Sequence, residues 1–384
     1  MTAASDSTPR GSGTHGAPLK IVFDCRYTRI GRHDGISRYT AGLVTALAEL
    51  HPVTMLISDE RQLELLPDLP WQLASSPTSP LELFVARQVN QLKPDVVFTP
   101  MQTMGTFGRK YPLALTVHDL IYYSNPTPPR EFAWPLRALW RLYHLAWWPQ
   151  RLLLNRADAV VTVSHTTEAL VAEHHLTSKP VVVVSNAADV LDAESLPTGA
   201  SGGPVARSSA KSLVYMGSFM PYKNVETLVR ALPLLEGYEL HLMSSVRDDD
   251  RARLQALAPD ARLIFHDGAS DAEYLAALDH ATALVTASLE EGFGIPLVES
   301  MGRGTPVVVS DIAVFREIGA DAGLYFDAKN PAALAAAVRR LEDPQEWLSR
   351  SLASRRQAKK FSWAASATAL LALLEGLAGS PARR

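Results

Sequence analysis

The chain contains a single cysteine, Cys25, among 384 residues. No disulfide can form within it, and a reducing, cytoplasmic setting suits such a sequence. No uninterrupted apolar run approaches the ~18 residues expected of a membrane span. Neither sign of charge dominates: 37 basic residues stand against 40 acidic ones, a net charge of -3. That balance gives no electrostatic ground for a nucleic-acid partner. The chain also lacks a Cys/His ligand cluster and an H-E-x-x-H motif, so no metal site is expected. Nothing reads G-x-G-x-x-G, which argues against a dinucleotide-dependent dehydrogenase. Residues 1–18 carry Ser, Thr, Gly and Pro but no apolar core, and read as a loose tail rather than a signal peptide.

What is present is the material of two cores. Hydrophobic residues make up 47% and charged residues 20%, a globular balance at a length suited to two domains. Short β-branched runs alternate with amphipathic stretches. They begin with LKIVFD (19–24), VTMLIS (53–58), DVVFTP (95–100), LALTVH (113–118), AVVTVS (159–164) and PVVVVSN (180–186). Near-continuous hydrophobicity of this kind suits parallel strands covered on both faces. Helices are expected between them, for example over 36–50 and 80–92. Residues 191–211 lose both periods and are rich in Gly, Ser, Ala and Pro, as a linker would be. The alternation then restarts at SLVYMG (212–217), ELHLMS (239–244), RLIFHD (262–267), ALVTAS (283–288), TPVVVSD (305–311) and GLYFD (323–327). Two doubly wound α/β domains, 19–190 and 212–360, are therefore predicted. Their ligands should lie beyond the carboxyl ends of the strands.

The richest segment is ALVTASLEEGFGIPLVESMGRGTPVVVSD (283–311). A strand ends near Ser288, a turn EEGFG follows, and Pro296 stands where a helix would begin. Gly292 and Gly294 permit close approach of a ligand to the backbone. The helix start offers unpaired amides suited to phosphate. Glu291 precedes the turn and Glu299 lies on the helix. Carboxylates repel phosphate, so hydroxyl groups are their natural partners. A diphosphate flanked by a sugar and a ribose satisfies the whole set.

The spacing Glu291-Gly-Phe-Gly-Ile-Pro-Leu-Val-Glu299 resembles the E-x7-E signature of glycosyltransferase family 4, and the resemblance extends over most of residues 19–375. It implies the GT-B fold, two Rossmann-like domains facing across a cleft, with segment 361–384 packing back on the amino-terminal domain. It further implies retaining, metal-independent transfer from a nucleotide sugar, with no cofactor. Glu291 would meet the sugar hydroxyls and Glu299 the ribose hydroxyls, while the amides of Phe293 to Leu297 (Gly294 and Ile295 included) would face the sugar and phosphates.

MGSFMPYKN (216–224) resembles the family's phosphate loop, with Lys223 on the leaving diphosphate and Ser218 where many members carry arginine. RIGRHDGISRYT (29–40) is similar to its glycine loop. There Gly35 would approach the phosphates or acceptor, and Arg38 and Tyr39 are acceptor-side candidates, with capping or packing roles equally open. TVHDL (116–120) puts His118 at a strand end, where the family has a histidine touching the donor sugar. Asp119 would orient that ring or cap the next turn. Ser164, Asn186 and Asp189 are further cleft candidates, and FHDGASDAEY (265–274) would lie beside the base. Asp248 and Asp250 form D-x-D, but before RARLQALA they fit a helix start better than a metal.

REFAWPLRALWRLYHLAWWPQR (130–151) presents two helical stripes. Leu136, Leu139, Trp140, Tyr143 and Trp147 are expected in the core. Arg137, Arg141, His144, Trp148 and Arg151 form a face that would be solvated or in weak contact with an anionic membrane. The combination of DGISRYT, TVHDL and EGFGIPLVES is similar to that of bacterial polysaccharide and glycolipid mannosyltransferases. It points to GDP-mannose as first donor, a UDP- or dTDP-sugar next, and a glycan or lipid-linked acceptor. A sugar-phosphate synthase or phosphorylase, and a non-catalytic nucleotide-sugar binding protein, remain the competing readings.

Overall fold

The computed structural model describes residues 18–31, 33–128, 134–188, 207 and 209–379. The expected tail up to residue 17, most of the expected linker and the candidate Asp189 lie outside the described residues.

Two parallel sheets organise the chain. The first has the order β3 (Trp71–Leu73), β2 (Val53–Ile57), β1 (Ile21–Asp24), β4 (Val96–Thr99), β5 (Leu113–Val117), β6 (Ala159–Thr162) and β7 (Val181–Val183). The second has the order β10 (Arg262–Phe265), β9 (Glu239–Leu242), β8 (Ser212–Tyr215), β11 (Ala283–Thr286), β12 (Val307–Ser310) and β13 (Leu324–Phe326). In each sheet the order reverses between two central strands, β1 and β4 in the first and β8 and β11 in the second. A crevice opens at such a switch point, beyond the carboxyl ends of the strands. The central strands are fully buried, as their β-branched runs demand. Strand β3 was not anticipated: one half-buried and two exposed residues at a sheet edge leave no period to read. The helix expected over 80–92 divides into a 3₁₀ turn, Pro80–Phe84, and a helix, Val85–Gln91.

The tryptophan-rich stretch departs from expectation in a second way. It forms two helices, Trp134–Tyr143 and Trp148–Leu154, and the first buries none of its residues. Leu136 and Leu139, expected in the core, are exposed.

The last two helices, Pro344–Ala358 and Trp363–Ala378, follow each other closely, and by length and composition alone the pair could cross a membrane. Packing explains their apolarity otherwise. Ala367, Leu370 and Leu374 are buried in the same core as helix Gly35–Leu50, and Ser366 Oγ donates to Ser185 O at 2.7 Å. Trp363 lies against Gly42 so closely that a Cβ there would come 2.3 Å from the ring.

That contact gives a prediction of sign. Alanine is normally favoured over glycine inside a helix by about 1 kcal/mol, but overpacking costs about 1–3 kcal/mol. Gly42→Ala should therefore lower the unfolding temperature, measured by circular dichroism. A rise would show that Trp363 yields freely.

Candidate active site

The loops that follow β8 and β11, on either side of the second switch point, are stapled together. Leu289 N donates to Tyr222 O at 2.7 Å. Asn224, in the left-handed region at φ 49°, donates from Nδ2 to Ala287 O (3.1 Å) and Ala328 O (2.7 Å). This brings Lys223 Nζ within 2.6 Å of Glu291 Oε1, and Ser288 Oγ donates to the same oxygen at 2.8 Å. Both charged side chains are largely buried, 17% and 13% exposed. Sequence reasoning had placed Lys223 on phosphate and Glu291 on sugar without anticipating that they touch.

Beside this pair begins the helix Ile295–Gly302. Its first residue is preceded by Gly294 at φ 95°, and no side chain caps it. The expected row of five amides is shorter than foreseen. Leu297 donates its amide to Gly294 O at 2.9 Å, and Pro296 has none to offer. The amides of Gly294 and Ile295 find no protein acceptor among the described residues. They remain, with the positive end of the helix dipole, for an anion. Phe293 and Leu297 turn their side chains into the core, Phe293 meeting Phe361 edge to face at 5.5 Å between centroids.

One turn further along, Glu299 is buried and lies 3.2 Å from Arg38 Nη1. Arg38 also pairs with Asp271. From the first turn of helix Gly35–Leu50, Arg38, an acceptor-side candidate, thus reaches across the cleft to carboxylates of the second domain. Tyr39 takes the packing role. It is fully buried, its hydroxyl donates to Val184 O at 3.2 Å, and its ring meets those of His118 and Trp363. Gly35 is exposed at the start of the same helix, opposite Ile295, and Asp34 caps the helix by accepting from Ser37 N at 2.9 Å.

The opposite wall comes from the end of β5. His118 Nε2 lies 2.7 Å from Pro100 O. A carbonyl only accepts, so Nε2 carries the proton and Nδ1 is left as an acceptor. Burial lowers the His118 pKa, keeping the ring neutral. Asp119 accepts from Ile121 N at 3.2 Å, a turn cap. Burial, reinforced by Glu291 and Glu290, pushes its carboxyl up to about 6. Together with Gln102, Tyr122, Tyr123 and His144, these two residues line a cavity of about 180 Å³.

Several cross-domain bonds left no signal in the sequence. Asn125 Nδ2 donates to Glu290 Oε2 at 2.8 Å, and Ser164 Oγ to Gly292 O at 2.8 Å. The Glu317 carboxylate accepts from the amides of His165 and Thr166, both at 2.8 Å, capping the first turn of helix His165–Glu173 from the other domain. Ser164 also accepts from Thr167 N at 3.1 Å, which caps the same helix from within its own domain. Asn186 is buried, and Ser218 is exposed with its carbonyl taken by the Tyr215 hydroxyl at 2.6 Å. Asp248 and Asp250 stand in the first turn of helix Asp248–Leu257, where Asp250 pairs with Arg253 at 2.7 Å. The 265–274 loop lies against the loop after β9, Ala269 N donating to Met243 O at 2.8 Å.

Two switch-point sheets facing a shared cleft, with a lysine–glutamate pair beside an uncapped helix start, define a glycosyltransferase of the GT-B type. Residues 33–190 match the family described as Glycosyltransferase Family 4, and residues 210–343 the family described as Glycosyl transferases group 1. The chain belongs to glycosyltransferase family 4 by these two domains, which between them cover most of its length.

Its relatives include the O-antigen chain mannosyltransferase RfbU of Salmonella typhimurium, 24% identical over 84% of this chain and 92% of that protein. The serotype-specific mannosyltransferase WbdA of Escherichia coli is 29% identical over 65% of this chain, which corresponds to 30% of that longer protein. Among solved structures, sucrose-phosphate synthase of Thermosynechococcus elongatus superposes with a TM-score of 0.70 at 20% identity, over 94% of this chain and 99% of that one. Anabaena HepE in complex with UDP-glucose does so at 0.69 and 18%, over 94% and 100%.

The raised Asp119 carboxyl predicts a pH dependence. Between its ordinary 3.8 and about 6, the folded chain holds a proton there that the unfolded chain has released. The group's contribution to stability is therefore full at low pH and lost as pH rises through about 6. Asp119→Asn should flatten this part of the curve of unfolding temperature against pH. A variant curve parallel to that of the wild type would show that Asp119 ionises normally.

Proposed function

We propose that the chain transfers a hexose, with retention of anomeric configuration and without a metal, from a nucleotide sugar to a glycan or lipid-linked acceptor on the cytoplasmic side. Mannose from GDP-mannose is the first donor to test, ahead of a UDP- or dTDP-sugar. The mannosyltransferase names of RfbU and WbdA support the choice of sugar. The observation that carries the reading is the Lys223–Glu291 pair set beside the free amides of Gly294 and Ile295 and facing His118 across the cleft.

The bond broken joins the anomeric carbon to the diphosphate oxygen, and the bond formed joins that carbon to the acceptor oxygen. The acceptor proton passes to the departing phosphate on the same face, which accounts for retention without a covalent enzyme intermediate. Negative charge grows on the diphosphate as it leaves. Lys223 would meet it with a charge-assisted hydrogen bond of about 1.5–3 kcal/mol, and the helix start with up to about 2 kcal/mol. Both sit in a largely water-excluded site where such preorganised donors act most strongly. Neutral His118, accepting at Nδ1, suits a sugar hydroxyl rather than phosphate. Glu291, relieved of Lys223 by the phosphate, would accept from the other sugar hydroxyls, and Glu299 from the ribose.

Lys223→Ala and Glu291→Ala should each lower transfer by about 10²-fold or more, with the circular dichroism spectrum unchanged. Transfer at wild-type rates by either variant would sink the assignment. A thermal-shift series with GDP, UDP and dTDP should show selective stabilisation by one of them, naming the base. Donor stabilisation without turnover on any acceptor would instead mark a non-catalytic binding protein.

A further inference from the structure

The helix Trp134–Tyr143 and the turn after it form the most apolar exposed surface among the described residues. Trp134 is 81% exposed and Leu145 is 74% exposed, and Leu136, Leu139, Leu142 and Trp148 stand out with them. Isolated exposed apolar residues are ordinary, but a contiguous set on one element marks a contact surface. The charge there has one sign. Between Trp134 and Ala157 the sequence holds Arg137, Arg141, Arg151 and Arg156 and no Asp or Glu, although the whole chain is net -3.

The element is nevertheless firmly seated. Its inner side carries Trp140 and His144 against Tyr122, with ring centroids 5.0 and 5.8 Å away. Trp147 is stacked between Tyr123 at 3.7 Å and His174 at 4.1 Å. Tyr143 Oη donates to Gln150 Oε1, and Gln150 Nε2 to Gln102 Oε1, both at 2.7 Å. The apolar outer residues are thus held outward by an ordered layer beneath them.

We propose that this face docks on an anionic lipid surface, the leucines and tryptophans entering the headgroup boundary and the arginines meeting lipid phosphates. Apolar and cationic residues interleaved on one helix are the composition of an interfacial helix. A second copy of the chain fits poorly, because a two-fold contact would set arginines against arginines with no carboxylate between them. The turn that ends this helix supplies His144 to the cavity that holds His118 and Asp119. Docking therefore brings that cavity to within about a helix diameter, ~10 Å, of the bilayer. Resting here on the transferase reading above, the acceptor is a lipid-linked glycan presented from the membrane.

Vesicle flotation of the full chain without donor tests the docking independently of any reaction. Vesicles of phosphatidylcholine with roughly a third phosphatidylglycerol should retain the chain at low salt and release it at high salt, and pure phosphatidylcholine should retain little. Leu139→Asp with Leu142→Asp, and separately Arg137→Gln with Arg141→Gln, should weaken retention by about tenfold or more. Thermal stabilisation by nucleoside diphosphate should be unchanged in both. No retention of the wild type, or equal retention of the leucine variant, overturns the proposal. So does a dimer that the leucine variant dissolves while vesicles remain unbound. Retention on vesicles with no nucleotide effect would instead count against the transferase reading and leave the docking standing.

Discussion

A Cβ at residue 292 would lie 2.1 Å from the His118 carbonyl oxygen and 3.0 Å from Asp119 Cβ. The two domains therefore meet at a separation that only glycine allows. From that contact much of the cleft follows. The Gly292 carbonyl is taken by Ser164 of the opposite domain, so the turn before the helix Ile295–Gly302 is fixed by both sheets. Glu291, one residue earlier, is delivered to Lys223, and Gly294, two residues later, opens the helix start toward the same space. The constraint acts on backbone rather than side chains, so a larger residue at 292 would separate His118 from Glu291 before it disturbed either sheet.

Several carboxylates of the cleft have partners within the protein. Glu291 is held by Lys223 and Ser288, Glu299 by Arg38, and Glu290 by Asn125. Two of these contacts cross between the domains, so they hold the cleft shut as well as neutral. On the proposed function, a diphosphate beside Lys223 would exchange one anionic partner for another, without stripping the lysine of a charge partner in a low-dielectric site. The same exchange would release Glu291 for neutral hydroxyl donors. A pair with the geometry of a structural salt bridge is, on the proposed function, two halves of one sugar-phosphate site. On that reading the two carboxylates differ in role from the acid and nucleophile of a hydrolase: Glu291 is engaged with a lysine and Glu299 stands about two helical turns further along the chain.

The strands were legible because burial on both faces leaves an apolar run that survives in one dimension. The E-x7-E segment was legible for a similar reason: turn, proline and helix are contiguous, and their chemistry is local. Strand β3 has no buried face and left no trace. Leu136 and Leu139 misled, because a helical stripe records amphipathicity without saying whether protein or something else covers it. Arg38 and Tyr39 are adjacent in sequence, yet one crosses the cleft and the other points into the core. A helix rotates ~100° between neighbours, so a motif that names both cannot assign both to one face. Glu317 and Asn125 were invisible for a simpler reason, since their partners lie in the other domain.

The position of Arg38 is itself set from the first strand. Asp24, at the end of β1, receives the Arg26 guanidinium at 2.8 and 2.9 Å, and Arg26 also binds Glu82 at 2.5 Å and Ser75 O at 2.8 Å. Gln62 Nε2 then donates to the carbonyls of Arg26 (2.9 Å) and Thr28 (2.6 Å). A buried network of this kind contributes little net stability, but it leaves the following loop few alternatives. Arg29 N donates to Ser37 Oγ at 2.9 Å, and Asp34 caps the helix that carries Arg38. The charged residues at the carboxyl end of β1 thus fix the path of a loop, the loop fixes a helix start, and the helix start delivers a cation to Glu299.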